Sequence, residues 1–258
     1  MKMTFLKIYI DIIAFVLGTV FGSFINCMAW RIVHHESVLK GRSHCAVCGH
    51  ALGPADLVPV FSYLFLRGRC RYCGEKISPR YMIVELLTGL AFLGIVLRYP
   101  LNPEAVRWCG FSVALMGLSL VDLDIQEIPD RFIVFSIIWW AATLPLMNRG
   151  ILFQLEDGLI GGAVIGIGIL VLSLIFDRVT GKESLGGGDI KLLFVTGLYF
   201  GPWTGLFHLI LSCFAGLVCV ALMKQKKIPF GPAISAAAYV CMLWGEDFTN
   251  WYFGLIGV

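Results

Sequence analysis

The sequence predicts an all-α polytopic membrane protein of about eight transmembrane helices, with a small polar loop domain between the first two spans. Three observations predict it. Of 258 residues, 58% are hydrophobic and 14% charged, with a mean hydropathy of +0.83. Soluble domains run at about 25% charged and roughly 45–50% apolar. The apolar residues also fall in runs long enough to cross a bilayer, which takes about 20 residues. Finally, four paired cysteines sit in one polar stretch, 31–80, that lies outside lipid. This composition excludes an ordinary soluble enzyme, a disordered chain and a secreted disulfide scaffold. A net charge of +3 is too small to argue for nucleic acid. The 29 glycines suit helices that pack closely in lipid.

The first apolar run is Ile8 to Trp30. It follows Lys2 and Lys7, but it exceeds the roughly 7–15 residues of a signal-peptide core and lacks an A-x-A site, so it reads as a retained span. Further runs follow at about 81–97, 105–121, 131–147 and 158–176. Ile190 to Met223 is too long for one span, and Gly201-Pro202 inside it predicts a break. A last span covers about 230–245. Charge decides between seven spans and eight. With eight spans and the N-terminus outside, 15 of the 20 Lys and Arg fall on inner segments (31–80, 122–131, 177–191 and 224–227). The other five, Lys2, Lys7, Arg98, Arg107 and Arg149, fall outside, as the positive-inside rule requires. Gly158, Gly162 and Gly166 form a small-residue ridge suited to tight helix packing.

Cys45-Ala-Val-Cys48 and Cys70-Arg-Tyr-Cys73 are two C-x2-C knuckles, each followed by a turn glycine, Gly49 or Gly74. Four thiolates in paired knuckles match a structural zinc site. Two disulfides would need an oxidising compartment, whereas the charge pattern puts this loop in the cytosol. A redox C-x-x-C would stand singly. The expectation is therefore a cytosolic zinc-binding loop domain, with His44 and His50 as flanking polar residues rather than ligands. Cys27, Cys109, Cys213, Cys219 and Cys241 lie alone in apolar runs and behave as small hydrophobes.

Carboxylates at membrane depth are costly and by default functional. One acidic cluster is Asp122-Leu-Asp124-Ile-Gln-Glu127-Ile-Pro-Asp130. The other is Gly186-Gly187-Gly188-Asp189-Ile190-Lys191. Asp122 ends one span and Asp189 opens another at the same face, so the two can converge. Close carboxylates share a proton, leaving one as a base for water and the other as an acid for the departing group. The three glycines let a substrate strand approach the backbone. A phosphate cradle is the rival reading, but the P-loop spacing is absent. Asp124, Glu127 and Asp130 read as loop charge, Asp130 being placed to cap the next helix.

These residues resemble the type IV prepilin peptidases, membrane aspartic proteases of the GxGD kind, over nearly the whole chain. The resemblance is carried by Gly22-Ser-Phe-Ile-Asn26, the cysteine loop with Pro59-Val-Phe-Ser-Tyr-Leu64 and Arg67-Gly-Arg-Cys70, Glu85, Asp122 with Ile128-Pro-Asp130, Gly186 to Lys191, and Ile228-Pro-Phe-Gly-Pro232. Ala46 and Leu57 depart from the family's usual proline and asparagine. The resemblance implies a multi-pass enzyme of the bacterial cytoplasmic membrane that cuts the basic leader from type IV prepilins or type II secretion pseudopilins at the cytosolic face. It further implies N-methylation of the new N-terminus from S-adenosylmethionine. Asp122 and Asp189 match the family's catalytic pair. No glycine-rich nucleotide fingerprint marks a site for the methyl donor.

The expected organisation is thus a first span at 1–30, a four-cysteine zinc loop at 31–80 tied to methyl transfer, and a membrane-embedded peptidase core at 81–258. Two other classes compete. A transporter with a carboxylate proton relay would favour internal repeats, and none is visible. A zinc-loop scaffold of a secretion apparatus leaves the paired aspartates unexplained.

Overall fold

The computed structural model describes residues 2–38, 40–100, 102–147, 150–182, 185–223 and 228–257. The chain divides into two compact units, Met1–Leu101 and Asn102–Val258. Among the described residues every regular element is helical, with isolated bridges only at His44–Ala51 and Arg69–Lys76.

The first unit contains α1 (Lys2–Val33), a loop with the one-turn α2 (Phe61–Phe65), and α3 (Arg80–Arg98). Small residues let α1 and α3 approach closely. A methyl group at Gly18 would lie 2.6 Å from the Thr88 carbonyl, and one at Gly22 would lie 2.8 Å from Glu85 Cα. Gly89 faces back from α3, 2.8 Å from Thr19 by the same measure. Between them Asn26 donates to the Tyr81 carbonyl at 3.0 Å. The helix at 80–98, expected to open the peptidase core, therefore packs with α1 in the first unit.

The second unit contains α4 (Glu104–Ile125), α5 (Asp130–Thr143), α6 (Ile151–Gly162), α7 (Gly168–Thr180), α8 (Gly187–Met223) and α9 (Gly231–Ile256). A π-turn over Ala163–Ile167 joins α6 to α7 without a break. The glycine ridge packs on α8: methyl groups at Gly158 and Gly166 would lie 2.7 Å from the Leu198 carbonyl and 2.6 Å from Phe194 Cβ. A close backbone approach also lies beside the ridge, where a methyl group at Gly161 would collide with the backbone of both Gly197 and Gly201. α8 breaks where expected. Gly201 has φ 68° and ψ −174° with Pro202 following, a backbone that only glycine adopts easily.

Five of these helical segments are long and apolar enough to cross a membrane: Phe5–Val33, Arg80–Arg98, Glu104–Ile125, Ile151–Thr180 and Gly187–Ala221. The difference from the expected eight spans has a physical reason. α5 has 14 residues, about 21 Å of helix against the roughly 30 Å of a bilayer core. Gly187–Ala221 is one run of 35 residues whose two arms meet at Gly201. α9 is long enough but carries Glu246 and Asp247. The basic segment 224–227 and Arg149, used in the charge pattern, lie outside the described residues.

Candidate functional site

In the first unit the cysteine loop folds around its sulfurs. Cys45 N–H donates to His50 O at 3.0 Å and Gly49 N–H to Cys45 O at 2.9 Å. The second knuckle repeats the pattern, Cys70 N–H to Glu75 O at 2.8 Å and Gly74 N–H to Cys70 O at 3.0 Å. Gly49 and Gly74 have φ 69° and 73°, the left-handed turn that frees amides to point at the sulfurs. The Sγ atoms of Cys45, Cys48, Cys70 and Cys73 all lie within 4.8 Å of one another, and Cys45 and Cys73 are 3.9 Å apart. A tetrahedron with Zn–S bonds of about 2.3 Å has S···S edges of about 3.8 Å, so this donor set fits zinc. All four thiols are free, with no disulfide.

Amide donation, chiefly from Cys48, draws the Cys45 thiol down to about 7. Cys73 moves the other way, up to about 12: desolvation and the three neighbouring thiols outweigh the lowering effect of the Glu75 amide. Four crowded sulfurs cannot all ionise without a cation between them. His50 stacks on Tyr72 at 3.6 Å and His44 faces Glu36 at 4.0 Å, so neither imidazole joins the cluster. Asp56, which sequence reasoning missed, pins the loop together. Its carboxylate accepts from Arg71 Nε at 2.6 Å, Gly53 N–H at 3.0 Å and Tyr72 O–H at 3.1 Å. Arg71 holds that carboxyl below the usual carboxylate range.

In the second unit the two acidic clusters meet. Asp122 lies in the last turn of α4, buried at 4% exposure, and its Oδ2 accepts the Gly231 N–H at 2.8 Å. Gly231 opens α9, so the carboxylate sits at a helix N-terminus that favours negative charge. Asp189 lies in the first turn of α8, half-buried and within electrostatic reach of Asp122. The three glycines play different parts. A methyl group at Gly188 would lie 3.0 Å from Ile128 Cβ, one at Gly186 would lie 3.1 Å from Asp189 Oδ2, and Gly187 faces open space.

The other acidic residues diverge. Asp124 and Glu127 are exposed. Asp130 makes no side-chain cap at the start of α5; it pairs with Lys191 Nζ at 2.6 Å. That pair ties α5 to the first turn of α8, although both side chains are exposed and contribute little energy.

Two family models match successive parts of the chain. Residues 16–99 match the model of the bacterial peptidase A24 N-terminal domain. Residues 109–221 match that of the type IV leader peptidase family. A prepilin leader peptidase/N-methyltransferase of Aeromonas hydrophila is 36% identical over 230 residues, covering 84% of this chain and 76% of that protein. One of Bacillus subtilis (strain 168) is 32% identical, covering 93% and 96%. A type 4 prepilin-like proteins leader peptide-processing enzyme of Escherichia coli O78:H11 is 36% identical, covering 87% and 90%. No solved structure matches the chain.

Proposed function

The chain belongs to the type IV leader peptidase family, and from that premise we propose that it removes the leader from type IV prepilins or type II secretion pseudopilins with Asp122 and Asp189 as its catalytic pair. In this reading one carboxylate takes a proton from water as the oxygen attacks the scissile carbonyl. The other carboxyl donates a proton to the departing amine, so the pair returns to its starting charge after each turnover. The observation that carries the reading is the convergence of Asp122 and Asp189 from two different helices, each at the end of a membrane-spanning segment. Burial separates Asp122 from Asp124 two residues on. Gly187, open to its surroundings, gives an extended substrate room beside the pair.

The reaction runs at the cytosolic face of a bacterial cytoplasmic membrane, because the aspartates share a side with the basic segments that the positive-inside rule keeps inside. The eight-span topology belongs to this proposal, with α5, α9 and the two arms of α8 as separate crossings. Cys45, Cys48, Cys70 and Cys73 hold zinc, which with four protein ligands is closed and braces the loop rather than activating water. The new N-terminus is then methylated, with S-adenosylmethionine supplying a methyl group carried on a sulfonium.

Mass spectrometry of a co-expressed prepilin tests the function directly. The expected product has lost its leader and gained one methyl group. An uncut prepilin in the presence of folded enzyme would overturn the peptidase reading.

A further inference from the structure

The first unit holds a cavity whose wall includes two of the zinc thiols, Cys45 and Cys70, and whose other polar groups neither leader cleavage nor zinc binding uses. It has a volume of about 390 Å³ and opens between α1, the cysteine loop and α3. That falls within the roughly 300–1,000 Å³ of small-molecule sites. Trp30, Tyr63 and Tyr81 line it with aromatic rings, and Asn26 and Glu85 supply polar groups. Glu85 is buried at 8% exposure and accepts the Val60 N–H at 2.7 Å. Among the described residues no basic side chain pairs with it. Arg31, which also lines the cavity, spends its guanidinium on the carbonyls of Ser37, Val38, Lys40 and Gly41. Arg71 is spent on Asp56, and Lys76, the remaining Lys or Arg of the lining, forms no ion pair with Glu85 among the described residues.

A buried carboxylate normally has a cation, and a cavity walled by aromatic faces favours a positive ligand. The loop is also held out of its relaxed state here. Val60 has φ 64°, a costly backbone for a β-branched residue, and the amide it presents is the one Glu85 holds. Such strain gathers at ligand sites. We propose that this cavity is the binding site for the adenosyl-sulfonium methyl donor, with Glu85 facing the sulfonium charge and Trp30 supplying an aromatic wall. The inference rests on the methyl-transfer half of the proposed function and gives it residues.

The test is calorimetric titration of the full-length protein in detergent with S-adenosylmethionine and, separately, its neutral thioether product S-adenosylhomocysteine. Both should bind the unaltered protein. Glu85→Gln should weaken the sulfonium ligand at least about tenfold and the thioether less than about threefold, since only the charged ligand loses its counter-charge. Trp30→Ala, which leaves the Glu85–Val60 bond in place, should weaken both ligands. It carries the test if the Gln variant fails to hold its unfolding temperature. Unchanged affinities in both variants would overturn the assignment, as would a Glu85→Gln effect on the affinity of a cleaved pilin N-terminus alone. Methylation of prepilin by the unaltered protein would still stand in either case, so the failure of this site is distinguishable from the failure of the methyl-transfer reading.

Discussion

Asp122 Oδ2 accepts the Gly231 N–H at 2.8 Å across 109 residues of chain, and glycine is the residue whose lack of a side chain lets that amide approach. A methyl group at Gly231 would lie 2.7 Å from the same oxygen. Gly231→Ala should therefore push the carboxylate off its amide, at a cost of about 1–3 kcal/mol. Leader cleavage should fall at least about tenfold while the protein remains folded. Unimpaired cleavage in this variant would mean that the Gly231 amide does not position Asp122.

The proposed pair makes a stricter demand. Asp122→Asn and Asp189→Asn should each abolish cutting, because the amide keeps the shape of the carboxyl but carries no titratable proton. Residues that act as a unit lose function together, so the double variant should be scarcely worse than either single one. Asp124→Asn should retain activity. Cleavage surviving in Asp189→Asn, read by the shift of prepilin on a gel, would remove the two-aspartate mechanism.

Metal analysis of the purified chain should return one zinc. Cys45→Ser and Cys73→Ser should each lose it, and strong chelators should lower the unfolding temperature of the unaltered protein. Absence of zinc together with two disulfides would refute the site.

The break in α8 offers a stability test away from the chemistry. Gly201 combines φ 68° with a position where a side chain would collide with the Asp157 carboxylate. Gly201→Ala should destabilise the second unit by about 1–3 kcal/mol, seen as a fall in unfolding temperature. An unchanged unfolding temperature would show that α8 can straighten without penalty.

Membrane orientation is open to reporter fusions. Glu36 and Asn102 are expected on opposite sides, and matching signals from the two would refute the eight-span arrangement.

What the sequence by itself determined is local. Hydropathy marks the apolar runs because a span is one continuous stretch of chain, and the C-x2-C-Gly spacing marks the knuckles because each knuckle is a single turn. The break at Gly201-Pro202 was legible for the same reason, as one residue's backbone preference. The tertiary structure decided everything that depends on distant residues meeting. Asp122 and Asp124 are equally acidic in the sequence, and only the packing of α4 against α9 buries the first and exposes the second. Asp130 reads as a helix cap until α8 brings Lys191 to it. Glu85 carries part of the family resemblance in the sequence, but its partner is decided only when the loop brings the Val60 amide to its oxygen. No periodicity records such contacts, because their energy comes from desolvating groups that are far apart in the chain and adjacent only once the helices have packed.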